Sequence, residues 1–152
     1  MKITTFAAIY IGSYEVSLKI FEISARKKIR PVDYVRSRVE LGRDAYTKGI
    51  IGYELVEELC DVLKEFHTIM DGYKVDAYAA YAGNMLHDVS NELFILDQIR
   101  LRTKIKVTVL SNSEHRFMGY KSLAAMPEFE EMIQKGAAVV DVGGGSMQAT
   151  LF

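Results

Sequence analysis

Tryptophan is absent from the 152-residue chain, proline occurs twice and cysteine once. A single cysteine, Cys60, excludes an internal disulfide and any multi-cysteine zinc site. A reducing, cytoplasmic setting is the expectation that follows. No charge of one sign dominates: 19 Lys and Arg stand against 20 Asp and Glu, a formal net charge of −1. That balance gives no electrostatic basis for a general nucleic-acid binder or a polybasic membrane anchor. No apolar run approaches the roughly 18–20 residues that cross a bilayer, and residues 1–5 have no signal-peptide layout. What remains is the composition of a packed protein, with 49% hydrophobic and 26% charged residues, which excludes a disordered chain.

The first fifty residues read as strands. Phe6-Ala7-Ala8-Ile9-Tyr10-Ile11 is a short apolar run that enters a turn at Gly12-Ser13-Tyr14-Glu15. Val16, Leu18, Ile20 and Ile23 carry a returning strand, and residues 26–28 make a second turn before a third strand over 32–41. Pro31 has no amide to donate, so it belongs at that strand's start or edge. The period then changes. Leu55, Val56, Leu59, Val62, Leu63, Phe66 and Met70 follow the three-and-four spacing of an amphipathic helix over 52–70, closed by Gly72. A strand over 75–81, a helix over 91–103 and an alternating strand over 105–110 come next. Helices over 113–125 and 128–134 precede a strand–glycine–strand unit over 137–152. Three hairpin-like strands followed by alternating helices and strands predict an α/β mixed sheet with flanking helices. We read 1–136 as one domain and 137–152 as the opening hairpin of a second whose remainder lies outside the chain. An open edge on that hairpin makes a homodimer a further expectation.

Two segments share one design. Residues 8–13 and 140–146 each run an apolar strand into a glycine turn and a second strand. In Asp141-Val142-Gly143-Gly144-Gly145-Ser146 the glycines let backbone amides approach an anion closely, and Ser146 adds a hydroxyl. Asp141 at the strand end suits a metal-bound water. The same glycines also suit a plain hairpin turn. Glu114 starts a helix just after a strand end, where ligands of open α/β sheets bind. There it can orient water, or simply stabilise the helix start with Ser111 or Ser113 as cap. His87 and Asp88 follow a strand and can face an anion. Cys60 and His67 read as packing and boundary residues.

Taken together these segments resemble the exopolyphosphatase and guanosine pentaphosphate phosphatase group of the actin–Hsp70–sugar kinase superfamily. Ala7-Ala8-Ile9-Tyr10-Ile11-Gly12-Ser13 resembles its first phosphate loop, and Leu41-Gly42-Arg43 with Thr47-Lys48-Gly49-Ile50 its leucine–glycine and threonine–glycine stretch. Residues 82–91 are similar to the loop after its fourth strand. Val107-Thr108-Val109-Leu110-Ser111 followed by Glu114 resembles its strand and glutamate, and Asp141 to Ser146 its second phosphate loop.

The resemblance implies two ribonuclease-H-like, actin-like domains around a cleft. It implies hydrolysis of terminal phosphoanhydride bonds of polyphosphate or guanosine polyphosphate, generally with Mg2+. Glu114 would position or activate water and Asp141 would contribute to the metal site. Gly143, Gly144, Gly145 and Ser146 would hold phosphate opposite Gly12 and Ser13, with His87 beside them. The chain departs from the pattern at several places. Tyr10 stands for an Asp, Tyr14 for an Asn, and His87 for a bidentate Arg. Gly83-Asn84 replaces a Thr-Ser pair, His115 a second Glu, and Gln148 a Glu. A phenol with an ordinary pKa near 10 is no substitute for a carboxylate ligand. The alternative expectation is therefore a catalytically degenerate relative that binds phosphate or nucleotide.

Overall fold

The computed structural model describes residues 3–26 and 28–152. Lys27 of the expected second turn, and Met1 and Lys2 of the N-terminus, lie outside the described residues. Strands β1 (Ile3–Ile11), β2 (Glu15–Ser24) and β3 (Ile29–Arg38) form an antiparallel meander. Strand β4 (Ala77–Ala82) joins β1 in parallel, and β5 (Thr108–Val109) joins β4, giving the order β3-β2-β1-β4-β5. The first turn closes where the glycine predicted it, with the Gly12 amide donating to the Glu15 carbonyl at 2.8 Å. Pro31 sits on the edge strand, opposite Phe21 at a break in register, where the missing amide costs least.

The apolar alternation sorts the two faces of the meander. Ala7, Ile9, Ile11, Val16, Leu18 and Ile20 are buried on one side. Against them packs α2 (Tyr53–Gly72), whose Leu55, Val56, Leu59, Leu63, Phe66 and Met70 are the predicted stripe. Ile95 and Ile99 of α3 (Glu92–Thr103) complete the same core. A side chain such as Phe66, wholly buried, contributes about 1.5–3 kcal/mol by leaving water. Cys60 lies inside this layer, and burial pushes its thiol up from the ordinary range.

Three expectations are corrected. The third strand stops at Arg38, and residues 41–48 form a separate helix α1 (Leu41–Lys48). Its buried Asp44 accepts a hydrogen bond from the Gly52 amide (3.0 Å) and pairs with Lys48 (3.0 Å), so that α1 is tied to the start of α2. Gly49, at φ +66°, takes the left-handed position that ends α1. Gly72 does not play that role for α2; it is the last helical residue, and Lys74 takes the positive φ. Of the alternating run 105–110 only Thr108 and Val109 pair among the described residues, with Tyr81 and Ala82 of β4.

Two helices and a hairpin follow: α4 (Asn112–Ala124), α5 (Phe129–Lys135), then β6 (Ala138–Val142) paired antiparallel with β7 (Met147–Leu151) as a separate two-stranded sheet. Neither helix nor either strand buries a residue among those described.

Candidate functional site

The first glycine turn is held from three sides. The Gly12 amide closes it internally, the Gly42 amide of α1 donates to the Ser13 carbonyl (2.6 Å), and the Val39 amide donates to the Tyr14 carbonyl (3.3 Å). The second turn closes by the same bond as the first, the Gly143 amide donating to the Ser146 carbonyl at 2.8 Å. The amides of Gly144 and Gly145 carry no backbone hydrogen bond among the described residues. They are the free donors that an anion turn requires.

The structure brings the two turns together, and tyrosines form the junction. A Cβ built on Gly144 would lie 2.5 Å from the ring of Tyr14, and one on Gly145 would run into the hydroxyl of Tyr46. Gly42 supports the other side: a Cβ there would meet Tyr14, Ser13 and Tyr46 at 2.9–3.0 Å. Tyr46 on α1 shares a 2.7 Å hydrogen bond with the Ser13 hydroxyl. With the phenol rings in these positions the backbone at 144 and 145 leaves no room for a Cβ. Tyr46 was not singled out by the sequence; only its place inside the 41–50 stretch pointed toward it.

Tyr10 fills the neighbouring position. Its ring stacks on His115 with centroids 5.9 Å apart and planes 9° from parallel, and its hydroxyl lies 3.4 Å from His115 Nε2. A Cβ on the buried Gly83 would sit 2.9 Å from the same hydroxyl. Partial burial, then the charges of Asp141 and Tyr46, raise the Tyr10 phenol above its usual value, so it stays neutral. Tyr10 and His115 also border a cavity of about 520 Å³ between the sheet and α4, together with Lys19, Tyr34 and Tyr81. Asp141 lines a second cavity, about 330 Å³, between α4 and the hairpin.

Glu114 is built into a capping box. Its Oε2 accepts from both the amide and the hydroxyl of Ser111 (2.8 Å each), and Ser111 Oγ accepts from the Glu114 amide at 3.2 Å. The Ser111 amide, then its hydroxyl, hold the carboxyl below the usual carboxylate range, with the charge of His87 adding to the effect. Oε1 takes no hydrogen bond among the described residues, and Glu114 as a whole is exposed. His87, at the end of a short 3-10 turn over 84–86, pairs through Nδ1 with Glu92 at 3.1 Å. Asp88 accepts from Asn84 (3.2 Å).

A family model, the Ppx/GppA phosphatase family, matches residues 19–152. The chain belongs to the Ppx/GppA phosphatase family. The crystal structure of the Aquifex aeolicus member of the Ppx/GppA family superposes with a TM-score of 0.84 at 26% identity, covering 99% of this chain and 48% of that one. An exopolyphosphatase from Cytophaga hutchinsonii gives 0.76 at 23% identity over 97% of this chain and 46% of its own. The ethanolamine utilization protein EutJ from Carboxydothermus hydrogenoformans shares the fold alone, at 0.52 and 10%, over 98% of this chain and 47% of that one. The chain thus spans about half the length of the Ppx/GppA structures it matches. No curated protein sequence matches it. No helix is long and apolar enough to cross a membrane among the described residues.

Proposed function

We propose that the chain is the water- and phosphate-positioning part of a phosphoanhydride hydrolase acting on polyphosphate or guanosine polyphosphate. The observation that carries this reading is the convergence of the two glycine turns, one from each sheet, with free amides at Gly144 and Gly145. Residues 1–136 then form one wall of a cleft and 137–152 the start of the other. Gly12, Ser13, Gly143, Gly144, Gly145 and Ser146 hold phosphate oxygens through turn amides and hydroxyls, and His87 faces the same charge. Glu114, ionised across the neutral range and pinned by one oxygen, keeps Oε1 free to accept a hydrogen bond from water. The water oxygen attacks the terminal phosphorus, the bridging P–O bond breaks with its electron pair leaving on the shortened chain, and the water's proton passes by way of Glu114 Oε1 to a phosphate oxygen. Positioning and charge neutralisation supply most of the rate in such reactions.

Magnesium fits this site as a companion of the substrate. Among the described residues no three His, Cys, Asp or Glu side chains gather into a metal-binding group, and Tyr10 is a neutral phenol. Magnesium usually takes one or two protein carboxylates plus substrate phosphates. Asp141, at the mouth of the second turn, is the carboxylate that would hold it, and the bound ion would neutralise phosphate charge.

The test is phosphate release from polyphosphate with magnesium by the full natural chain, beside Glu114→Gln. Release that the substitution abolishes is expected. A second reading is favoured by Tyr10, which fills the place of a family carboxylate: a relative that binds phosphate without cleaving it. Binding of polyphosphate with no release would establish that reading instead.

A further inference from the structure

The hydroxyl of Tyr46 stands between the two glycine turns. On one side it is bonded to Ser13 Oγ at 2.7 Å, so the hydroxyl of the first turn is already engaged. On the other it abuts Gly145, beside the two amides that have no backbone acceptor. Tyr14 covers Gly144 with its ring alone. The phenol oxygen takes no hydrogen bond from either amide among the described residues; it stands in the gap between the two turns, against the backbone of Gly145. Tyr46 is nevertheless 49% exposed, and nothing but its Ser13 bond and ring contacts holds it. A rotation about its side-chain bonds releases it into water without moving α1, whose own anchor is Asp44.

We propose that Tyr46 gates the anion seat, occupying it between Ser13 and Gly145 until a polyanionic phosphate displaces it. The proposal rests on the reading of the glycine turns as phosphate-binding, and it adds the residue that sets their affinity. A ligand that binds only the open form has its apparent affinity reduced by the open fraction. A seat that is open about one-tenth of the time binds about ten-fold more weakly than one held open. Tyr14 lies against Gly144 through its ring and offers no hydroxyl contact there, so the gate is assigned to Tyr46 alone.

The experiment is a calorimetric titration of tripolyphosphate into the full natural chain and into Tyr46→Ala and Tyr46→Phe. Tyr46→Ala is expected to bind about ten-fold more tightly, and Tyr46→Phe, which keeps the ring packed on Gly42 but frees Ser13, to gain a few-fold. Either variant binding at or below the unmodified affinity overturns the gate and makes Tyr46 packing or a phosphate donor. Should Tyr46→Ala fail to fold, Tyr46→Phe decides by the same criterion. If all three bind equally, the gate falls and the phosphate turns stand. If none of the three binds tripolyphosphate, the gate and the phosphate-turn reading fall together.

Discussion

Behind Gly12 and Ser13 stand Ile9, Ile11, Val16 and Leu18, none more than 1% exposed. Behind Gly143–Gly145 the matching strand positions Val140, Val142 and Met147 are 55–73% exposed. The two turns share a sequence design and a closing bond of the same length, yet one rests on the core and the other stands on a two-stranded sheet. Strand identity is set locally, by apolar alternation around a glycine. Rigidity is set by what packs over the strands, and only the first turn has α2 and α3 beneath it. A site assembled from both turns therefore joins a firm half to a yielding half.

That contrast breaks most visibly in the core. Leu59→Ala is expected to cost about 2–5 kcal/mol, while Val142→Ala, on the exposed hairpin, should stay within about 0.5 kcal/mol. Urea unfolding of both variants measures the difference; equal losses would mean that the hairpin is as firmly packed as the meander. Asp44→Ala comes next. It removes the buried acceptor of the Gly52 amide and leaves Lys48 without its partner, an expected loss of about 2 kcal/mol. The Gly52 amide, then Lys48, hold the Asp44 carboxyl below its unfolded value. Its stabilisation is thus fully present above the ordinary carboxylate range and disappears as the pH falls through the lowered folded value. Unfolding midpoints recorded down the acid range should converge for the native chain and Asp44→Ala. Ser111→Ala follows with a smaller loss than Asp44→Ala, about 1 kcal/mol for a lost cap. It should also raise the Glu114 carboxyl and move the acid limb of any hydrolysis to higher pH. An unmoved limb would separate Glu114 from the chemistry.

The fold was legible wherever apolar period and turn chemistry agreed. Leu55 through Met70 and the turn at Gly12 are where the spacing put them, because burial of one stripe decides them. The helix α1 was hidden because Glu40 offers no side-chain cap and its anchor, Asp44, reaches a partner eight residues away. Long-range bonds of that kind leave no period in the sequence. The candidate site was legible at Glu114 and Ser111, whose three-residue spacing is a local capping signal. It was not legible at Tyr46, since a phenol packed against a glycine 99 positions away is a product of tertiary assembly. Tyr10 was noticed as a departure from the family, but its stack on His115 belongs to the folded chain alone.

Cys60, wholly enclosed between the helices and the sheet with its thiol kept protonated by burial, has a practical consequence. In the native state it is chemically silent toward thiol reagents, which need an accessible thiolate. With no tryptophan in the chain, light that excites indole but not the nine tyrosines meets no native emitter. A cysteine introduced on the outer face of the hairpin, at Val142, would be the one site a dye could reach. An indole introduced at Tyr14 would be the one emitter excited by such light. Energy transfer between the two would then serve as a ruler across the two glycine turns, reading their separation in solution.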